Sequence, residues 1–106
     1  MGIDSRNFRD KAITQVTIGY DWVDSLNFAL ISVMDADKVI FTYRVAGLTE
    51  YCLYDDFECM YISQCKFIDD DDGLYISLDP FNELAPREER DCFCFLGKSI
   101  EISNGK

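Results

Sequence analysis

Histidine is absent from this sequence of 106 residues, and its absence limits the chemistry available to the chain. Ser-His-Asp and Cys-His catalysis are excluded, as is the general base that most often works near neutral pH. The five cysteines include no Cys-x-x-Cys pair, so no zinc site is indicated. A carboxylate or lysine mechanism stays open, but no motif indicates one, and we expect no enzymatic activity and no cofactor. We also expect reduced thiols, with Cys92 and Cys94 on the core face of one strand.

Long apolar runs are also missing. No stretch of about 20 apolar residues is present to span a membrane, and residues 1–11 lack the apolar segment of a secretory signal. With 48% apolar residues, the chain has enough for one modest core. We expect a cytoplasmic protein with a single domain over residues 1–106 and frayed ends at 1–8 and 104–106.

Basic residues are scarce: 10 Lys and Arg stand against 20 Asp and Glu, which gives a net charge of -10. The imbalance is concentrated in residues 50–83, here called the acidic third, where Lys66 is the only base. Such a block repels nucleic acid and anionic membranes, and it attracts a basic protein. The acids of this segment are Glu50, Asp55, Asp56, Glu58, Asp69, Asp70, Asp71, Asp72, Asp79 and Glu83.

Apolar and polar residues alternate with a period of two along most of the chain, which predicts β-strands. Two hairpins are predicted, one around 35–37 and one through Asp72-Gly73, where glycine supplies the positive φ that such turns need. Residues 4–11 and 21–27 are long enough only for short helical turns. The predicted strands are 12–20, 27–34, 38–45, 50–54, 57–68, 74–79, 92–96 and 99–103. The fold class is therefore mainly β, a single antiparallel domain of about seven or eight strands built as a sandwich or curled barrel.

Residues 57–68 admit two interpretations, since a helix there would make the fold α+β. Their alternation favours one long strand, and in the resulting meander 50–54, 57–68 and 74–79 are neighbours. Within 74–79, the side chains predicted to face the core are Leu74, Ile76 and Leu78. Those predicted to face outward are Tyr75, Ser77 and Asp79.

The four consecutive aspartates Asp69–Asp72 exceed what a turn requires. They do not form an EF-hand loop, because Leu74 stands where that motif needs glycine and Pro80 where it needs glutamate. A looser Ca²⁺ or Mg²⁺ site and a solvated loop tip that discourages aggregation are alternatives. We favour recognition of a basic protein, since the meander would place two acidic rims around one sheet face, with aromatic anchors between them. The residues predicted to bind this partner are Asp55, Asp56, Glu58, Asp69, Asp70, Asp71, Asp72, Tyr75, Asp79, Phe81 and Glu83.

Two stretches of the chain, "DDDDGLYISLDPFNE" (69–83) and "DCFCFLGKSIEI" (91–102), resemble the closing part of small bacterial immunity proteins. Those proteins belong to contact-dependent growth inhibition and related polymorphic toxin systems. The resemblance implies a cytoplasmic protein that binds and neutralises one cognate toxin domain, often a basic nuclease. It assigns no role to any individual residue. A small metal- or metabolite-binding β domain and an interaction subunit unrelated to toxins are the alternative functions.

Overall fold

Nine β-strands, arranged in two antiparallel sheets, lie within the part of the chain that the computed structural model describes, namely residues 3, 5–53, 61–71, 73–80, 82, 84, 86 and 91–102. The mainly β class predicted from the sequence is confirmed, and one of the two sheets curls as a half-barrel. The strands of the large sheet are β1 (Lys11–Asp21), β2 (Leu26–Met34), β3 (Ile40–Ala46), β5 (Tyr61–Ile62) and β9 (Ser99–Ile102). Those of the small sheet are β4 (Glu50–Cys52), β6 (Lys66–Asp70), β7 (Gly73–Asp79) and β8 (Cys92–Gly97). The spatial orders are β5-β1-β2-β3-β9 and β4-β8-β7-β6.

Both predicted hairpins are confirmed. Between β2 and β3 the turn is longer than the three residues predicted, because the Asp35 carboxylate accepts the backbone N–H groups of Asp37 and Val39 at 2.9 and 3.0 Å. Strand β3 therefore begins at Ile40 rather than at residue 38. In the β6–β7 hairpin, Asp70 pairs with Gly73, whose φ of 127° lies in the left-handed region that glycine tolerates.

The prediction of one long strand over 57–68 is wrong at residues 63–65. Tyr61 and Ile62 pair with β1 in the large sheet, whereas Lys66 begins a strand that pairs with β7 in the small sheet. Ile62 and Cys65, which two residues separate, are both buried, whereas in one uninterrupted strand they would lie on opposite faces. The chain changes sheets between them. In the small sheet, β4 and β6 lie at opposite edges and are not neighbours. The predicted meander is therefore also wrong.

Side chains from both sheets form one hydrophobic core. The predicted inward positions Leu74, Ile76 and Leu78 are confirmed, at 3%, 0% and 3% exposure, and Ile31 is fully buried. From β8 the core receives Phe93 and Phe95, so it was wrong to place Cys94 on the core face of that strand. The thiol of Cys94 lies on the opposite, half-buried face, Cys52 is exposed and Cys65 is buried.

Phe8 is tied to this core, so the predicted fraying of residues 1–8 does not extend to it, whereas residues 1, 2 and 4 lie outside the described residues. A short 3₁₀ turn at Ser5–Asn7 leads into Phe8, which is fully buried. The Phe8 ring packs on Tyr43, with 4.8 Å between centroids. Residues 22–25 form a second turn, between β1 and β2. Among the described residues no helix is long and apolar enough to cross a membrane.

The two sheets are joined at one end of the molecule, here called the junction end. Backbone hydrogen bonds link Leu48 N to Asn27 O at 2.9 Å and Lys98 N to Ala46 O at 2.8 Å. At Gly97 the backbone of β8 approaches β3 so closely that an added Cβ would lie 2.6 Å from Val45 Cγ1. A side chain at this position would therefore push the two sheets apart. The β1–β2 turn, the start of β4 and the β6–β7 hairpin all lie at this end.

Candidate protein-binding surface

Among the described residues, the exposed carboxylates of the acidic third lie at the two ends of the small sheet. Asp69 and Asp71 are exposed at the β6–β7 hairpin, at the junction end. Glu50 is exposed at the same end, because it pairs with Leu96 near the end of β8. Asp79 is exposed at the opposite end, where its backbone pairs with Cys92, and its predicted outward orientation is confirmed. The predicted binding residues that fall outside the described part of the chain are Asp55, Asp56, Glu58, Asp72, Phe81 and Glu83.

Tyr75 does not face solvent, and its prediction as an exposed aromatic anchor is corrected by its 5% exposure. Its hydroxyl donates to Asp91 Oδ2 at 2.8 Å and lies 3.2 Å from Cys94 Sγ. Ser77, also predicted to face outward, is fully buried. Alternation placed both residues on the correct face of β7. That face is covered, however, because Asp91 and the carbonyl oxygen of Pro86 contact the side chains that it carries.

Lys66, the only base of the acidic third, is buried on this same face with 1% exposure. Its ammonium group donates to both carboxylate oxygens of Asp91, at 3.0 and 2.9 Å, and to the carbonyl oxygen of Pro86 at 2.8 Å. These three acceptors match the three N–H bonds of an ammonium group. A buried charge is tolerated only when it is paired in this way. The pair therefore fixes Asp91 to β6 of the small sheet, and the bond to Pro86 fixes that residue there as well.

Four polar side chains form a row across the small sheet, since Lys66 pairs with Ser77, Ser77 with Cys94 and Cys94 with Cys52. In another setting a lysine, a serine and a thiol in one row would suggest nucleophilic catalysis. Here burial raises the pKa of the Cys94 thiol, so the reactive thiolate is disfavoured at neutral pH. The Lys66 amine is fully engaged, since it donates to both Asp91 oxygens and to the carbonyl oxygen of Pro86. The geometry supports a structural role for this row.

The hydroxyl of Tyr75 stabilises the same network as a permanent donor. Burial, followed by its contacts with Cys94 and Asp91, raises the pKa of Tyr75 far above its usual value of 10. The phenol therefore stays protonated throughout the physiological range and keeps donating to Asp91. Within the described residues, no three Cys, Asp or Glu side chains are gathered as a metal ion would require.

No protein-family model, curated protein or solved structure matches this chain.

Burial of Lys66 has an electrostatic consequence for the surface of the acidic third. The segment contains ten acids and one base, and the base is enclosed with Asp91 inside the protein. Glu50, Asp69, Asp71 and Asp79 are exposed. The segment thus presents carboxylates to solvent and contributes no positive charge of its own there. A surface of one sign attracts partners of the opposite sign over distances up to about 10 Å at moderate salt.

Sequence reasoning missed the exposed aromatic residues. Tyr51 and Tyr61, both within the acidic third, are 54% and 58% exposed. Tyr51 belongs to the three-residue edge strand β4, too short for alternation to assign its faces. Trp22 is 84% exposed and Val23 is 91% exposed in the β1–β2 turn. One signal was available for these two, because the Trp-Val pair in "DWVDS" is flanked on both sides by polar residues that favour a turn.

Proposed function

We propose that this protein is a cytoplasmic immunity protein, which binds a cognate basic toxin domain and neutralises it without catalytic activity of its own. The observation that carries the proposal is the enclosure of Lys66 by Asp91, which removes the only base of the acidic third from the surface. The resemblance of residues 69–83 and 91–102 to small immunity proteins supports the same function. The proposed target is a nuclease domain, since nucleases carry basic surfaces that bind phosphates.

Inhibition would follow from competition for one surface. Carboxylates of the acidic third would occupy positions on the toxin that otherwise bind substrate phosphates, and they would pair there with Lys and Arg side chains. A standard protein interface takes about 800 Å² from each partner. The protein exposes 6700 Å² in total, so one end of it provides enough area. Fold and charge are both compatible with a tight stoichiometric complex.

Co-purification with the neighbouring gene product tests the proposal. Immunity genes lie directly downstream of their toxin genes, so the C-terminal domain encoded immediately upstream would be expressed together with this chain. The expected results are a 1:1 complex on size-exclusion chromatography and loss of toxicity in the co-expressing cells. Association should slow markedly as salt is raised from 50 to 500 mM, because charges steer the encounter. An upstream domain that forms no complex, or that remains toxic in the complex, would contradict the proposal.

A further inference from the structure

The β1–β2 turn carries apolar surface that the fold leaves exposed. Trp22, Val23 and Tyr20 are 84%, 91% and 42% exposed, and we call residues 20–25 the tryptophan turn. Aromatic side chains contribute the largest apolar areas to protein cores and interfaces. Trp and Tyr are also enriched among the interface residues that dominate binding energy. An exposed tryptophan beside an exposed valine is therefore a candidate contact for another molecule.

This turn is held in one conformation by its own hydrogen bonds. The Asp21 carboxylate accepts the backbone N–H of Val23 at 2.9 Å and that of Asp24 at 3.3 Å. Its other oxygen accepts from Arg44 at 2.8 Å. Trp22 packs edge-on against the ring of Tyr20, with 4.8 Å between centroids and 78° between planes. A side chain already ordered in the unbound protein loses little conformational entropy on binding.

The tryptophan turn lies at the same end of the molecule as most of the exposed acidic third. The hydrogen bond from Leu48 N to Asn27 O joins the base of the turn to the segment that enters β4 at Glu50. The β6–β7 hairpin, with Asp69 and Asp71, lies beyond Gly97 at this junction end. Asp24 is exposed within the turn itself. Apolar and acidic groups thus share one end of a molecule about 33 Å across.

We infer that Trp22 and Val23 are the apolar anchor of this acidic interface, and that they enter an apolar pocket with a basic rim on the partner. The inference rests on the proposed function and adds the residues expected to dominate affinity. Charge disfavours a second copy of this chain as the partner, because that copy would also carry a net charge of -10 and would be repelled. A partner that binds here must instead supply Lys or Arg around the pocket.

Fluorescence of the wild-type protein provides the first test, because Trp22 is the only tryptophan in the chain. The probe is a catalytically inactive form of the domain encoded immediately upstream, with its own tryptophans replaced by phenylalanine. On complex formation, the Trp22 emission should shift to shorter wavelength, and quenching by acrylamide should fall several-fold. If the complex forms but emission and quenching do not change, Trp22 is not the anchor, although the proposed function is not contradicted. Failure of the wild-type protein to bind would overturn the proposed function together with the anchor.

Substitution provides the second test. Trp22→Ala should weaken binding at least about 30-fold, the scale of an interface hot spot, mainly through faster dissociation. The matched control is Val39→Ala with Ile40→Ala, two residues 47% and 45% exposed at the other end of β2. The control should bind like wild type. Equal affinities for Trp22→Ala and wild type would overturn the anchor, and thermal melting of each variant would show that its fold is retained.

Discussion

Lys66 and Asp91 form an ion pair enclosed by the protein: Nζ lies 2.9 Å from Oδ2, and the two side chains are 1% and 0% exposed. Removal of one partner leaves the other charge buried without compensation, which typically costs about 3–5 kcal/mol. Lys66→Met should therefore lower the free energy of unfolding by about that amount in urea denaturation. The double variant Lys66→Met with Asp91→Leu should lose less than Lys66→Met alone, because no unpaired charge remains.

Lys98→Met is the control for that experiment, because Lys98 is exposed. Its free energy of unfolding should change by no more than about 0.5 kcal/mol, as is usual for surface substitutions. Equal stabilities for Lys66→Met and Lys98→Met would show that the enclosed pair does not contribute to the fold.

Substitution of Tyr75 should lower the stability of the fold without changing the affinity for a partner. Tyr75→Phe removes the hydroxyl that donates to Asp91 at 2.8 Å, and loss of a hydrogen bond to a charged group costs about 1.5–3 kcal/mol. The affinity for the upstream-encoded domain should be unchanged, because Tyr75 is buried. Urea denaturation and titration calorimetry measure the two quantities. Tyr51→Phe is the control, since Tyr51 is 54% exposed and should alter stability little. Weaker binding by Tyr75→Phe at unchanged stability would restore its role as an anchor.

The hairpin aspartates should act on the rate of association. Replacement of Asp69 and Asp71 by Asn should leave the melting temperature unchanged or slightly higher, because neighbouring like charges repel. The association rate with the upstream-encoded domain should fall roughly tenfold at low salt and lose part of its salt dependence. Stopped-flow mixing at two salt concentrations measures both effects. The control, Asp37→Asn with Glu101→Gln, removes the same charge from exposed sites outside the acidic third. Equal association rates for the two double variants would show that only the net charge of the protein matters, and not the position of the hairpin aspartates.

The tryptophan turn should keep its conformation near neutral pH and lose it when Asp21 becomes protonated at low pH. Backbone hydrogen bonds from Asp24 and Val23, with Arg44 nearby, lower the pKa of Asp21 from its ordinary 3.8. A carboxyl group whose pKa is lower in the folded state than in the unfolded state stabilises the fold at every pH above the unfolded-state pKa. This stabilisation is lost as the pH falls through the folded-state pKa. The near-UV circular dichroism of the Tyr20–Trp22 pair should thus stay constant from pH 7 to about 4 and decrease below that. Asp21→Asn should lose this step, and a step retained in that variant would assign it to another carboxyl group.

Alternation predicted the strands well where one face of each strand is apolar and the other is not. It located β1 and β7, and it assigned Leu74, Ile76 and Leu78 correctly to the core, whereas β2 was located by its nearly continuous apolar run. It failed at residues 63–65, because alternation with a period of two carries no information about which sheet a strand joins. The break between Ile62 and Lys66 is set by pairing with β1 on one side and β7 on the other, and both partners are distant in sequence.

The candidate surface was predicted in part. Charge along the chain identified the acidic third, and the exposure of Asp69, Asp71 and Asp79 agrees with it. The position of Tyr75 could not be obtained from its own strand, because it depends on a later segment covering the second face of β7. Lys66 posed the same difficulty. A lysine near exposed aspartates is normally solvated, and its burial here depends on Asp91 and Pro86, which lie 20 or more residues along the chain.

The order of strands in the small sheet also sets when the protein can fold. Within the described residues β4 pairs only with β8, with Cys52 opposite Cys94, so this pairing cannot form until β8 has been synthesised. The large sheet is completed later still, when Ile102 of β9 reaches Tyr43 of β3. Pairings between residues so far apart in sequence close long loops, which slows folding to the range of milliseconds to seconds. A growing chain on the ribosome therefore holds β4 without this partner until β8 has been synthesised, and the end of the small sheet that carries Glu50 is assembled only then.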